Sequence, residues 1–572
     1  MLNEQHARGP GIRRAALFFG PLAALALLSQ VIATLLAPAG IYYPDSFCYV
    51  VLPHGAPCSG HPPGITLVWA IAGLGVLSEH RVLIGQAVLG IAAVVFLGWA
   101  LRTVSSVGVA FTLAAAFAVL PLRLFFTRTL MTETVETFFV CLFLAAAAEV
   151  VRAARPRALL GWTLLASLAL GGAASVHFAF LPVAIGLWLV LAVIVALRAP
   201  WSGLMSGRRL RGVAGVATAS LLVVLGTVLP AALDEYRWYG TLSGNPVQGT
   251  TLAARWSPVL SCSVPPGSMP MTRVVIAAAC QDWSWRSPPG ITVDAMWNLP
   301  ISNSLILGPD KRPATFAAVQ GQLTGIVRRA MLAHPVEVAK QVLMSLVWQI
   351  GGTPYDDISG FHSASSNRSS GDWTLGVPSF PNEATWFGSA TMTPISTQLR
   401  PMLELMSGTM RVAQVLLWLA LGGCAVRLGG RVARRLRRWP APVILGRRMI
   451  SGEARRWLTM DSAPLLGVLV GVATLLSGIS VAIGSMPSFH YELPLTPFVL
   501  VILGLCLRRP GYADVPAPDM NCSGSTEMNS ASDSAISVSP ARTSAVMEIL
   551  RPRHSVARAR PISSTPSGVG LR

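Results

Sequence analysis

Ten apolar runs of about 20 residues, separated by short arginine-rich blocks, constrain this fold more than any other feature. A helix needs roughly 20 apolar residues to cross about 30 Å of hydrocarbon. Only 12% of the residues are charged, against about 25% in soluble proteins. The sequence therefore predicts an all-α polytopic membrane protein with about ten transmembrane helices, near 15-38, 82-101, 106-122, 134-151, 158-175, 178-197, 212-232, 411-428, 463-485 and 491-507.

The short apolar segment 64-78 determines the orientation of every later span. If it does not span, the arginine blocks near Arg102, Arg152, Arg209 and 427-462 share one side with the N-terminus, as the positive-inside rule requires. If it spans, all of these later blocks fall outside. We therefore predict that 64-78 is a juxtamembrane helix on the outer face and that both termini are cytoplasmic.

This frame divides the chain into five parts and places the protein in the inner (plasma) membrane as a multi-pass protein. The long region between the seventh and eighth spans is too polar to span, and we expect a mixed extracytoplasmic region there. The predicted parts are a cytoplasmic N-terminus 1-14, a transmembrane module 15-232 with outer loop 39-81, the extracytoplasmic region 233-410, C-terminal transmembrane helices 411-508 with basic cytoplasmic loop 427-462, and a disordered cytoplasmic tail 509-572.

The net charge of +19 would suit a nucleic-acid partner if it formed one surface. It is instead divided into blocks between apolar runs, which is typical of topology-determining loops. We therefore expect membrane lipids, and no nucleic acid, among the partners.

Four cysteines lie on the predicted outer side, where an oxidising compartment permits disulfides. Four cysteines allow three pairings, and proximity in sequence favours Cys48–Cys58 and Cys262–Cys280. The alternative is that these residues are unpaired small apolar side chains.

Ionisable side chains are nearly absent from the centres of the predicted spans, which weakens a transport function. They gather where spans meet the outer face, which includes the outer loop 39-81 and a short outer turn predicted at "RLFFTRTLMTE" (123-133). A carboxylate there could accept a proton from a hydroxyl nucleophile, and arginine could bind a phosphate. The candidates are Asp45, His54, His61, Arg123, Arg128, Glu133, Glu136, His177, His490, Tyr491 and Glu492.

Each candidate also has a structural interpretation. Asp45 could cap a helix that begins at Ser46, and Glu133 could be a first-turn acid favoured by the helix dipole. Arg128 could be an interfacial anchor. His61 could be a turn residue before two prolines, and His177 a packing histidine.

One amphipathic helix is predicted inside 233-410. The segment "HPVEVAKQVLMSLVWQI" places five apolar side chains on one helical face, namely Val336, Ala339, Leu343, Leu346 and Ile350. We expect this helix to lie at the membrane interface or to pack on the rest of the outer region.

Four segments resemble the polytopic C-type glycosyltransferases (GT-C superfamily), above all the protein mannosyltransferase and aminoarabinose transferase branch. The similarity covers roughly 15-200 and then patches. The segments are "YYPDSFCYV" followed by "GHPPGITLVWAIAGLGVLS", "FFTRTLMTETVETFFV", "RRAMLAHPVEVAKQVL" and "SFHYELPLTPF".

The resemblance implies an inverting transfer of a sugar from a polyprenyl-phosphate donor to a hydroxyl of a lipid, glycan or protein acceptor, on the periplasmic or exterior face. It implies that Asp45 is the catalytic base and Glu133 a second catalytic acid. Arg128, with His490 and Tyr491, would bind the donor phosphate. His61 and Glu133 would be the ligands of a divalent metal ion.

Two positions depart from the family pattern. Ser46 follows Asp45 where many members have a second acid, and His490 replaces an arginine. A histidine binds phosphate well only when protonated. Two other functions stay open from the sequence: a transporter or flippase for lipid-linked saccharides, and a non-catalytic membrane scaffold.

Overall fold

The computed structural model describes residues 4–36, 79–153, 155–198, 207–240, 248–260, 262, 264–281, 313–351 and 492–507, with single positions near 422–426 and 469–474. Several predicted features lie outside these residues: Asp45, His61, His490, Tyr491, the Cys48–Cys58 pair, the helix 64-78, most of the runs 411-428 and 463-485, and the tail 509-572.

The described residues are helical and contain no β-strand. The helices are α1 (Glu4–Leu36), α2 (Glu79–Val104), α3 (Val107–Ala118), α4 (Pro121–Arg128), α5 (Glu133–Arg152), α6 (Pro156–Val176), α7 (Leu181–Arg198), α8 (Gly207–Tyr239), α9 (Gln248–Arg255), α10 (Pro270–Gln281), α11 (Pro313–Ala333), α12 (Pro335–Gly351) and α13 (Glu492–Leu507). Short 3₁₀ turns occur at Phe178–Phe180 and Ser257–Val259.

Local sequence sets many of these boundaries. Proline stands at the first position of α4, α6, α10, α11 and α12, where its missing N–H costs nothing and its fixed φ suits a helix. Ser106 caps α3 by accepting from the Val109 N–H at 3.4 Å. Gly240, at φ 69°, ends α8 in the left-handed conformation that glycine adopts without strain.

Five of the described helices are long and apolar enough to cross a membrane, and the bent pair α3–α4 makes a sixth. The segments Leu181–Ala196 and Thr496–Leu507 are shorter apolar helices. The chain is thus a polytopic helical protein, and the described residues hold fewer spans than the ten predicted. Two of the ten predicted runs lie largely outside those residues.

The third predicted span is broken. The sequence predicted one helix over 106-122 and a short outer turn over 123-133. The structure instead has α3, a 46° bend, and α4. At the start of the segment, the Ser105 N–H donates to the Leu101 carbonyl, near the end of α2. At its other end, Gln86, near the start of α2, donates to the Met131 carbonyl at 3.1 Å. These two contacts lie at opposite ends of α2, so the broken segment crosses from one end of the bundle to the other.

Helix α5 is the centre of this bundle. It packs against α2, α6 and α13, and its span is 78% buried, against 28% for α1 and 22% for α8. Four consecutive alanines at 145–148 are all buried, which lets helices approach it closely on every side. Helices α1 and α8 therefore form outer walls with lipid-facing sides.

Helices α9 to α12 form a second helical layer with its own apolar core, within the predicted extracytoplasmic region. Its members include Trp256, Ile276 and Leu323. A disulfide joins Cys262 and Cys280, with Cα atoms 5.8 Å apart; this is the second of the two pairings favoured by the sequence. The described part of this region is helical, where a mixed fold was expected.

Candidate functional site

The two ends of the helix bundle differ in chemistry. One end carries arginines at the ends of helices: Arg102 lies over the Phe18 ring at 5.4 Å, and Arg152 lies 3.4 Å from Glu149. Trp99 donates to Glu149 at 2.9 Å at the same end. We call this the basic end. The opposite end, where α1 stops and α2 starts, we call the polar end.

The polar end holds buried polar side chains from α1, α2, α4 and α5. Thr127 Oγ1 donates to Gln30 Oε1 at 2.9 Å, and Gln86 reaches the Met131 carbonyl. The buried polar residues here are Ser29, Gln30, Gln86, Arg123, Thr127, Arg128, Thr129, Thr132, Glu133, Thr134, Glu136 and Thr137. Residues 37–78, which join α1 to α2 in the chain and include Asp45, lie outside the described residues.

Arg123 has a structural role. Its side chain is 2% exposed. It donates to the carbonyls of Phe117 at 3.1 Å, of Gly90 at 3.2 Å and of Ala118, and to Ser29 Oγ at 3.0 Å. Two of these carbonyls belong to the last residues of α3, where the regular i+4 hydrogen bonds of the helix end. The guanidinium therefore adds hydrogen bonds to carbonyls at the bend and ties α4 to α1 and α2.

Arg128 and Glu133, both predicted site residues, are buried in the polar end at 5% and 3% exposure. Arg128 is in the last turn of α4, and Glu133 is the first residue of α5. The sequence assigned them to a surface turn. They are buried because Leu122, Phe125 and Phe126 pack α4 into the bundle, which carries the flanking polar residues inward.

Glu136 pairs with His177 across the polar end. His177 Nδ1 lies 2.9 Å from Glu136 Oε2, so the imidazole donates to the carboxylate. Glu136 is in the first turn of α5, and His177 follows the last residue of α6. The sequence placed both residues at this level of the membrane but did not predict their contact, because a separation of 41 positions leaves no local signal.

Four buried polar atoms at the polar end have no hydrogen-bond partner among the described residues: Gln30 Nε2, Gln86 Oε1, Thr134 Oγ1 and Thr137 Oγ1. A buried polar atom left unsatisfied costs about 1–3 kcal/mol. Their concentration beside Arg128, Glu133 and Glu136 indicates a place suited to water or a polar ligand.

The two predicted metal ligands are Glu133 and His61. Within the helices that the structure describes, no group of three or more His, Cys, Asp or Glu side chains could hold a metal ion. Glu133 lies in the polar end, whereas the other predicted ligand, His61, is outside the described residues.

Comparisons with known proteins found little. No protein-family model and no curated protein matches the sequence. Among solved structures, the chain is similar to one in the Pmt1–Pmt2 protein O-mannosyltransferase complex of S. cerevisiae bound to the sugar donor. The match has 18% identity and a TM-score of 0.32, and it covers 43% of this chain and 36% of that one. The chain thus spans about a third of that relative's length, and a likeness this weak carries no argument about activity.

Proposed function

We propose that this protein is an integral membrane glycosyltransferase that moves a sugar from a polyprenyl-phosphate donor to a hydroxyl acceptor. The observation that carries the proposal is the concentration of buried charged and unsatisfied polar side chains at one end of an otherwise apolar bundle. Such a site beside the hydrocarbon suits a substrate with a charged head and a long apolar tail. The motif resemblance described above supports the same reaction class.

The proposed reaction is an inverting displacement. The Asp45 carboxylate accepts the proton of the acceptor hydroxyl, and the hydroxyl oxygen forms a bond to the anomeric carbon. The bond from that carbon to the phosphate oxygen breaks, and polyprenyl phosphate leaves with the electron pair. The products are the glycosylated acceptor and the lipid phosphate.

The remaining predicted residues position the substrates in this proposal. Arg128 binds the donor phosphate, since a guanidinium matches phosphate oxygens as a fork, and His490 and Tyr491 contact the same group. Glu133, at the start of α5, orients the acceptor. His61 and Glu133 would be the ligands if a divalent metal ion binds, and it would supply charge neutralisation of the phosphate.

The polar end faces the periplasm or exterior in this proposal. Arg102 and Arg152 lie at the other end of the bundle, with Arg155 and Arg157 following in sequence. The positive-inside rule assigns that basic end to the cytoplasm.

Transport of a lipid-linked saccharide is less well supported. In the five unbroken spans that the structure describes, α1, α2, α5, α6 and α8, no Asp, Glu, Lys, Arg or His lies in the central turns. The bent span contains buried Arg123, whose hydrogen bonds go to backbone carbonyls and the Ser29 hydroxyl. Transporters usually place such groups near the membrane midplane.

The test is a transfer assay on the full chain in proteoliposomes. It uses a panel of polyprenyl-phosphate hexoses and pentoses labelled in the sugar, with envelope lipids, glycans and proteins as acceptors. Asp45→Asn keeps the size of the side chain and removes the base, so the rate should fall by roughly 10²–10⁴. Glu337→Gln, which changes an acid on the second helical layer, should leave the rate unchanged. Full activity in Asp45→Asn would refute the catalytic assignment of Asp45, whereas no transfer by the unaltered protein from any donor of the panel would favour a scaffold.

A further inference from the structure

The second helical layer exposes a row of large apolar side chains. Leu332, at the end of α11, is 72% exposed; in α12, Val336 is 81% and Leu343 is 62% exposed. Side chains of this size are normally turned inward in an amphipathic helix. The sequence predicted that Val336 and Leu343 share a face, and the structure turns that face away from the layer.

These three exposed residues lie within twelve positions of one another, at the end of α11 and along α12. The His334 N–H donates to the Ala330 carbonyl at 3.1 Å, and the Val338 N–H donates to the His334 carbonyl at 3.0 Å. The first bond closes the end of α11 and the second opens α12, so the two helices meet at His334. The seven-residue spacing places Val336 and Leu343 on one face of α12, and Leu332 precedes that face in the last turn of α11. We call these three residues the apolar stripe.

The opposite side of α12 is already occupied. Val338 and Val342 pack against the apolar core of the second helical layer. Gln341 is buried, and its backbone carbonyl accepts from Arg255 at 3.4 Å. Burial lowers the pKa of Arg255 to about 10, so it stays charged at neutral pH. Because the inner face of α12 already makes these contacts with the layer, the helix cannot turn the apolar stripe inward without breaking them.

The position of the second helical layer indicates that lipid covers the stripe. Helix α11 packs directly against α8, whose apolar span 212–233 is only 22% buried and so faces hydrocarbon. The second helical layer is therefore joined to the bundle at a membrane-facing helix. Because α12 follows α11 directly in the chain, the stripe belongs to the part of the layer that adjoins this helix.

The charges beside the stripe favour an anionic surface. Arg328 and Arg329 are exposed in the turn before Leu332. Lys340 is also exposed, but its Nζ lies 3.4 Å from Glu337 Oε2, so its charge is largely offset. An apolar row with arginines at its edge is typical of helices that lie in the headgroup region of a membrane.

We propose that the end of α11 and the helix α12 dock on the membrane surface beside α8. Leu332, Val336 and Leu343 enter the boundary between headgroups and acyl chains, and Arg328 and Arg329 lie at the level of anionic lipid phosphates. This docking does not depend on the proposed sugar transfer.

The test places a fluorescent amino acid, dansylalanine, at position 343 in the full chain, reconstituted as one copy per nanodisc. Position 336 serves as a second site if the first variant folds poorly. Lipids brominated in the upper acyl chain should remove about half or more of the fluorescence, since stripe residues lie about 5–10 Å into the interface. Aqueous iodide should quench little. The same probe at Pro266, exposed in the turn before α10, should respond to iodide.

A charge variant tests the second half of the proposal. Arg328→Gln with Arg329→Gln should weaken docking in discs that contain phosphatidylglycerol, by a factor of about five per charge. It should have little effect in phosphatidylcholine alone. Strong iodide quenching at position 343 with no effect of brominated lipid would overturn the proposal. So would protection from iodide that occurs only with two copies per disc, because a protein contact would then cover the stripe. The quenching experiment does not measure sugar transfer, so the docking proposal and the proposed function can each fail independently.

Discussion

Replacing Arg123 tests whether a buried arginine holds the bent segment in place. The side chain makes four hydrogen bonds, to the carbonyls of Phe117, Ala118 and Gly90 and to the Ser29 hydroxyl. These bonds join α4 to the end of α3, to α2 and to α1. Arg123→Met keeps the length of the side chain and much of its apolar volume but removes every donor.

The expected decrease in the free energy of unfolding depends on which hydrogen bonds each acceptor keeps in the variant. Four bonds at about 1 kcal/mol each give about 4 kcal/mol. The Phe117 carbonyl still accepts from the Leu120 N–H at 3.2 Å, and the Ala118 carbonyl from Ser29 Oγ at 2.9 Å, so neither is left unsatisfied. Methionine also removes a buried charge, which offsets part of the loss. We expect the free energy of unfolding to fall by about 2–3 kcal/mol.

The midpoint of thermal unfolding (Tm) of the detergent-solubilised protein measures this change in stability. At about 2–4 °C per kcal/mol for a unit of this size, Arg123→Met should lower Tm by roughly 4–12 °C. The matched control is Arg152→Met at the basic end, where the side chain is 44% exposed and bridges Glu149 at 3.4 Å. An exposed pair contributes about 0.5 kcal/mol, so its Tm should change little. Equal Tm values for the two variants would refute the role given to Arg123.

Two further predictions concern packing and covalent links. Gly172→Ala should lower the free energy of unfolding by about 1–3 kcal/mol, because the added Cβ would collide with the Phe139 ring. The control is Gly161→Ala in the same helix, where an added Cβ meets nothing within 4 Å. Equal Tm values for the two variants would contradict this prediction. Cys280→Ser should destabilise the second helical layer by about 3 kcal/mol, because the disulfide to Cys262 links residues 18 positions apart. Proteolysis of the native protein should become faster within 248–281. Unchanged cleavage there would contradict this prediction.

The sequence predicted the long spans well for a physical reason. An uncharged run of 20 or more apolar residues has few structures available other than a membrane helix. The spans near 82-101 and 134-151 correspond to α2 and α5 for this reason. The amphipathic segment 334-350 likewise forms α12, because its 3.6-residue period is a local property.

The polar end was harder to predict. The segment "RLFFTRTLMTE" has enough polar residues to resemble a surface turn, yet Arg123 and Arg128 are buried within it. The polarity of Arg123 is accommodated by three backbone carbonyls and one hydroxyl, all from other helices. No local pattern encodes those partners. The Glu136–His177 pair depends in the same way on how α5 and α6 meet.

The 46° bend between α3 and α4 bears on the depth at which a ligand would bind. At about 1.5 Å per residue, twelve residues of α3 rise about 18 Å and eight residues of α4 extend about 12 Å. If α3 follows the membrane normal, the tilt leaves α4 a height of about 8 Å. The two residues that join the helices add about 3 Å, so the crossing reaches about 29 Å, close to the roughly 30 Å thickness of the hydrocarbon layer. Arg128, in the last turn of α4, would then lie at the boundary between hydrocarbon and headgroups.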